Sequence, residues 1–174
     1  MTESTANNDL ITLQARLAEN QDGILELLAE EHGVSLQAAV ESLPEEMWKR
    51  VSGEHFVEAL TDIASWGDVT IIVHTKDVIM EAHGPLPEGR VGHGFYNLRG
   101  GGAVSGHLRA ENCKAIIYLR RPFMGKETAS VQFFNAKGEA MFKIFVGRNE
   151  AGALKADQID RFTQLENRLN GAGR

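Results

Sequence analysis

The sequence predicts an α+β chain: helices first, a largely antiparallel β-sheet in the middle, and one helix at the end. Three observations carry that reading. Apolar residues recur at helical spacing through the first third, alternate after Asp68, and return to helical spacing near the C-terminus. The expected organisation is one domain, with a helical part over about 1–67, a sheet part over about 68–148 and a terminal helix over about 153–170.

Leu10, Leu13 and Leu17 mark the first helix, and Ile24, Leu27 and Leu28 mark a second. Gly33 is suited to close the second helix in a left-handed conformation. Ser35 is suited to cap a third from Leu36 to Leu43, which Pro44 interrupts. Phe56, Leu60 and Ile63 make a further stripe that Gly67 can end. Ala29, Gly33, Val34 and Val40 also fit the spacing of a DNA-binding helix-turn-helix. The second helix of that pair, L-Q-A-A-V-E-S-L, has no lysine or arginine for phosphates or guanine edges, so a packed hairpin is expected instead.

In the first strand Val69, Ile71 and Val73 take one face, and Thr70, Ile72 and His74 the other. Val78 to Ala82 return after a T-K-D turn, and Gly84 to Gly89, with two prolines, reads as a loop. Further strands are expected at Phe95–Leu98, Lys114–Arg120, Ser130–Asn135 and Ala140–Val146, the last two joined by an A-K-G turn. Ile159, Phe162, Leu165 and Leu169 supply the apolar side of the terminal helix.

With 174 residues, 43% hydrophobic and 24% charged, the composition is that of an ordinary globular protein. A net charge of −6 gives no general footprint for nucleic acid. There is no apolar run of membrane-spanning length, and Met1 to Asp9 lack the regions of a secretory signal, so cytoplasmic residence without membrane insertion is expected. The single cysteine, Cys113, reads as a small core residue.

The chemistry is concentrated in G-H-G-F-Y-N-L-R-G-G-G-A-V-S-G-H-L, from Gly92 to Leu108. Glycines allow sharp bends and close backbone approach, and both imidazole and phenolate can bind iron. The run has neither a dinucleotide nor a phosphate-loop glycine pattern, and Ser105 and Ser130 lack the G-x-S-x-G context. Of the six histidines, His32 and His55 read as solvated surface residues, and no pair has zinc spacing.

R-P-F-M-G at Arg121 to Gly125, S-V-Q-F-F-N at Ser130 to Asn135 and M-F-K-I-F-V-G-R at Met141 to Arg148 follow in order. Together with the glycine-rich run they resemble the intracellular haem-utilisation carriers of the HutX/ChuX type, over roughly Gly23 to Arg161. The resemblance implies a fold similar to one half of the larger bacterial haem-trafficking and haem-degrading proteins. It implies haem as the transported ligand, a homodimer through which the sheet continues, and transfer to a haem-degrading or storage partner.

The same resemblance points to the segments of His74 and His107 as haem contacts, with both imidazoles as candidate iron ligands. Tyr96 and His93 are competing ligands, and Tyr96 reads equally as a packed sheet residue. Phe95, Met124, Phe134, Met141 and Phe145 are candidate walls for the macrocycle. Arg99, Arg109, Arg121 and Lys143 are candidate partners of the propionates. A non-enzymatic carrier is the leading expectation; a ring-opening enzyme and an interaction module without haem remain open alternatives.

Overall fold

A computed structural model describes residues 3–100 and 104–171. Gly101, Gly102 and Ala103 of the glycine-rich run lie outside the described residues. The helices are α1 (Glu3–Glu19), α2 (Leu25–Glu31), α3 (Leu36–Glu41), α4 (Phe56–Ile63) and α5 (Ala156–Gly171). The strands are β1 (Trp48–Ser52), β2 (Asp68–His74), β3 (Ile79–Pro85), β4 (Gly89–Gly92), β5 (Phe95–Leu98), β6 (Gly106–Leu108), β7 (Ala115–Phe123), β8 (Lys126–Phe134) and β9 (Ala140–Phe145). Six of them form one antiparallel sheet in the order β1-β7-β8-β9-β2-β3, and the other three form a small sheet β4-β5-β6.

Strand alternation gives the large sheet two unlike faces. Ile116, Tyr118, Val131, Phe133, Phe142 and Ile144 point to one side, where α4, α5 and Tyr96 of the small sheet complete a core. Phe56 of α4 is its hub, edge-on to Tyr96, Phe133 and Phe142 at centroid distances of 6.1, 5.4 and 6.0 Å. Ala115, Ile117, Leu119 and Phe134 point to the other side, beneath Leu13 and Leu17 of α1, Leu25 and Leu28 of α2, and Val40 of α3. That helical cover lies over β7 and the end of β8, and does not extend across β9, β2 and β3.

Local signals are realised where side chains fix them. Ser35 Oγ accepts the Ala38 N–H at 3.1 Å, and Gly33 takes a φ of 60° at the end of α2. The Ala136–Gly138 turn joins β8 to β9, with Asn135 Oδ1 accepting the N–H groups of Lys137 and Glu139. Cys113 is buried, and burial pushes its thiol up to about 11.

Several expectations need correction. The stretch over about 1–67 is not wholly helical: β1 lies within it and pairs with β7. The loop expected over Gly84–Gly89 is shorter, since β3 runs through Pro85 and β4 starts at Gly89, which leaves only Leu86, Pro87 and Glu88 between them. Pro85 ends an edge strand, the position in a sheet that tolerates a missing N–H. The buried stripe of α2 is Leu25, Leu28 and Ala29, whereas Ile24 and Leu27 are exposed. His32 and His55 are half-buried rather than solvated, and His32 Nε2 is enclosed without a hydrogen-bond partner.

Gly89 is required by packing. A Cβ there would stand 2.2 Å from the Tyr96 ring, which is itself locked in the core. Gly89→Ala should therefore cost about 1–3 kcal/mol through overpacking, measured by urea unfolding, and should shift the Tyr96 ring resonances.

Candidate functional site: an open cleft and an outward histidine

Where the helical cover stops, the uncovered part of the sheet becomes a cleft of about 170 Å3. Ile72 and His74 of β2, Ile79 and Glu81 of β3, and Lys143 and Phe145 of β9 line it. Ser130 and Gln132 of β8 and Arg121 and Phe123 of β7 complete the floor, and Ile24 and Glu26 form the helical rim. Ile72 and His74 do share this face, as alternation predicts.

The floor is polar but internally paired. Glu26 Oε1 lies 3.0 Å from His74 Nδ1 and is also the partner of Lys143 Nζ. Burial would raise the Glu26 carboxyl, but Lys143 outweighs it, and with a smaller contribution from His74 the group is held below its ordinary range. Gln132 Nε2 donates to Ser130 Oγ at 3.1 Å, while its buried Oε1 has no partner.

Arg121 donates to the carbonyls of Gln21 and Gly23 at 2.8 and 2.6 Å. In the other direction, Asp22 accepts the N–H groups of Met124 and Gly125 at 2.8 and 3.1 Å. These four bonds fasten the α1–α2 loop to the β7–β8 hairpin and so fix the rim. Arg121 and Lys143 line the cleft and already hold protein partners there.

The small sheet makes a second surface. Tyr96 and Leu108 face each other across β5 and β6 and pack on the core, so Phe95, Asn97, His107 and Arg109 face outward. His107 is exposed; its ring is 5.7 Å from that of Phe95, and the Arg109 guanidinium lies 4.5 Å over the same Phe95 ring. His107 Nδ1 is 2.6 Å from Asn97 Oδ1.

The structure does not bring His74 and His107 together. His74 opens onto the cleft, whereas His107 lies on the outer side of a sheet whose inner side packs against the opposite core. Tyr96 is 1% exposed with its hydroxyl buried and unpartnered, so it is a core residue and reaches neither surface. His93 and Met124 are first residues of tight two-residue turns, at φ 53° and 50°, each followed by a glycine. Both are exposed, and neither lines the cleft. Of the expected walls, Phe145 lines the cleft and Phe95 the small sheet, while Phe134 is in the core under α1–α3 and Met141 is half-buried against the opposite core. Glu26 and Asn97 were not foreseen; their only signal is spatial, through the histidines they hold.

Glu26→Gln removes the charge that neutralises an almost buried lysine, and should destabilise the fold by about 3–5 kcal/mol. Because the folded-state carboxyl is lowered from 4.5, its contribution is fully present above that pH and is lost as pH falls through the lower folded value. Urea unfolding across pH should show this acid limb in the parent and its reduction in Glu26→Gln.

Known proteins give these surfaces a context. Residues 49–165 match the family model described as haem utilisation ChuX/HutX. The chain is 39% identical over 154 residues to the intracellular heme transport protein HutX of Vibrio cholerae, covering 87% of this chain and 80% of that protein. A solved structure of the heme-binding protein ChuX superposes with a TM-score of 0.83 at 43% identity, over 90% of this chain and 98% of that one. Apo-PhuS of Pseudomonas aeruginosa, at 18% identity and a TM-score of 0.74, shares the fold over 90% of this chain and 46% of its own, so the architecture is that of one half of a larger protein. Among the described residues no helix is long and apolar enough to cross a membrane. The chain belongs to the ChuX/HutX haem-utilisation family.

Proposed function

We propose that this protein is a cytoplasmic haem carrier that receives haem and hands it to a haem-degrading or storage protein, without opening the ring itself. The names of the relatives, a heme transport protein and a heme-binding protein, support the class of cargo. The observation that carries the mechanism is openness. The cleft holds about 170 Å3, against about 300–1,000 Å3 for ordinary small-molecule pockets, and His107 stands on an exposed sheet face. A macrocycle therefore lies on this protein rather than inside it, which favours exchange over sequestered chemistry.

His107 is the first ligand in this reading. Its imidazole is accessible, Phe95 offers an aromatic surface to the macrocycle, and Arg109 is a cation within reach of a propionate. His74 is the second, because its cleft adds the apolar walls of Ile72, Ile79 and Phe145. The floor charges there are already paired, so the apolar edge of haem would enter and the propionates would remain in water. Bound haem supplies the iron; the protein supplies imidazole nitrogen, apolar contact and an unobstructed way out.

A homodimer completes the proposal. Among the described residues β3 is an edge strand paired on one side only, and Ile79 and Met80 on it are 60% and 66% exposed. Such an edge is a template for pairing with a second chain. Light scattering on the haem-free protein should report twice the chain mass, and Met80→Lys should shift it toward the monomer.

Absorbance titration with haemin tests the function itself. A saturable Soret change at one haem per protomer is expected, and featureless adsorption would identify an interaction module instead. With ascorbate and oxygen, the Soret band should decay no faster than a catalase-protected control; stoichiometric biliverdin-like product would make the protein an enzyme. His107→Ala should alter the ferric spectrum and speed haem loss, His74→Ala should do so more modestly, and His32→Ala should do neither. If Tyr96→Phe alone removes the ferric signature, the tyrosinate is the ligand and the histidine assignment fails.

A further inference from the structure

We propose that Asn97 is a positioning residue that selects Nε2 of His107 as the iron-binding nitrogen; this rests on the reading of His107 as a haem ligand. The argument starts at the β4–β5 turn, where His93 and Gly94 take φ values of 53° and 78°. Around this turn the Asn97 side-chain nitrogen donates to three backbone carbonyls, those of Gly92 at 3.0 Å, Arg90 at 3.1 Å and Phe95 at 3.3 Å. Flipping the amide would set its oxygen against all three acceptors. The side chain consequently has one orientation, with Oδ1 directed across the β5–β6 register to His107.

That oxygen lies 2.6 Å from His107 Nδ1. An amide oxygen can only accept, so Nδ1 must carry the ring proton. In the neutral imidazole the lone pair is then on Nε2. Among the described residues nothing hydrogen-bonds to Nε2, and the edge contact with Phe95 steadies the ring. Free histidine in water favours the opposite tautomer, with the proton on Nε2, so the strand pair reverses the intrinsic preference before any ligand arrives. The partner of a ligating imidazole sets its orientation and its basicity. A neutral amide fixes the orientation while adding less basicity than a carboxylate would, which suits a bond that must be broken again.

The decisive measurement is made on the haem-free protein, by long-range 1H–15N correlation at a pH where the ring is neutral. His107 should appear as the Nδ1–H tautomer in the parent and revert toward Nε2–H in Asn97→Ala. In the haem-loaded protein, Asn97→Ala should keep an imidazole-type spectrum but lose haem about 10-fold faster. An Nε2–H tautomer in the parent overturns the proposal without need of any variant. So does an Asn97→Ala protein whose tautomer and haem loss match the parent while His107→Ala changes the spectrum. If His107→Ala leaves the spectrum unchanged, the ligand reading itself falls and the proposal falls with it, whatever the tautomer.

Discussion

The large sheet has two faces to cover, and the helices and small sheet fully cover only one. On the first face α4, α5 and the inner side of the small sheet close over a continuous apolar core. On the second, α1 and the two short helices α2 and α3 cover the β7 side and stop. The boundary is held by the reciprocal bonds between the α1–α2 loop and the β7–β8 hairpin. Asp22 accepts two backbone N–H groups there, which hold its carboxyl below the usual range, and Arg121 donates to two carbonyls in return. The charges of Asp22 and Arg121 are thus used within the protein, where they fix the loop at the edge of the cleft.

The second consequence of partial cover is polar residues on core strands. Gln132 and Lys143 alternate with Val131, Phe133, Phe142 and Ile144, so each strand is fully apolar on one side and mixed on the other. The cost of burying these groups is offset in part by pairing: Lys143 with Glu26, and the Gln132 amide nitrogen with Ser130, while Gln132 Oε1 is left without a partner. The result is a floor with charges but little unpaired charge.

Much of this was legible in the residues. The order of helices and strands, the Ser35 cap, the A-K-G hairpin and the common face of Ile72 and His74 follow from period and turn chemistry. β1 and β4 were not legible, for a physical reason: each is short and lies at a sheet edge, and in β1 only Val51 is buried. A strand that buries one side chain has no alternation to detect. The phase of α2 was misread because Ile24 and Leu27 are apolar yet exposed, with Ile24 serving the cleft rim. Parity along a strand tells which residues share a face, but not which sheet the strand joins. That is why His107 and His74 could be expected to converge, and why the partners Asn97 and Glu26 became visible only in three dimensions.

Those two partners make the histidines chemically unequal. Asn97 offers His107 a neutral amide oxygen, on an exposed surface, with no competing charge on that oxygen. Glu26 faces His74 with a carboxylate, but shares the same oxygen with Lys143, which draws off part of its negative charge. His107 thus has one ring nitrogen tied across a strand pair and the other in the open, whereas the His74 ring lies in the cleft floor, its Nδ1 facing a carboxylate that a lysine already engages.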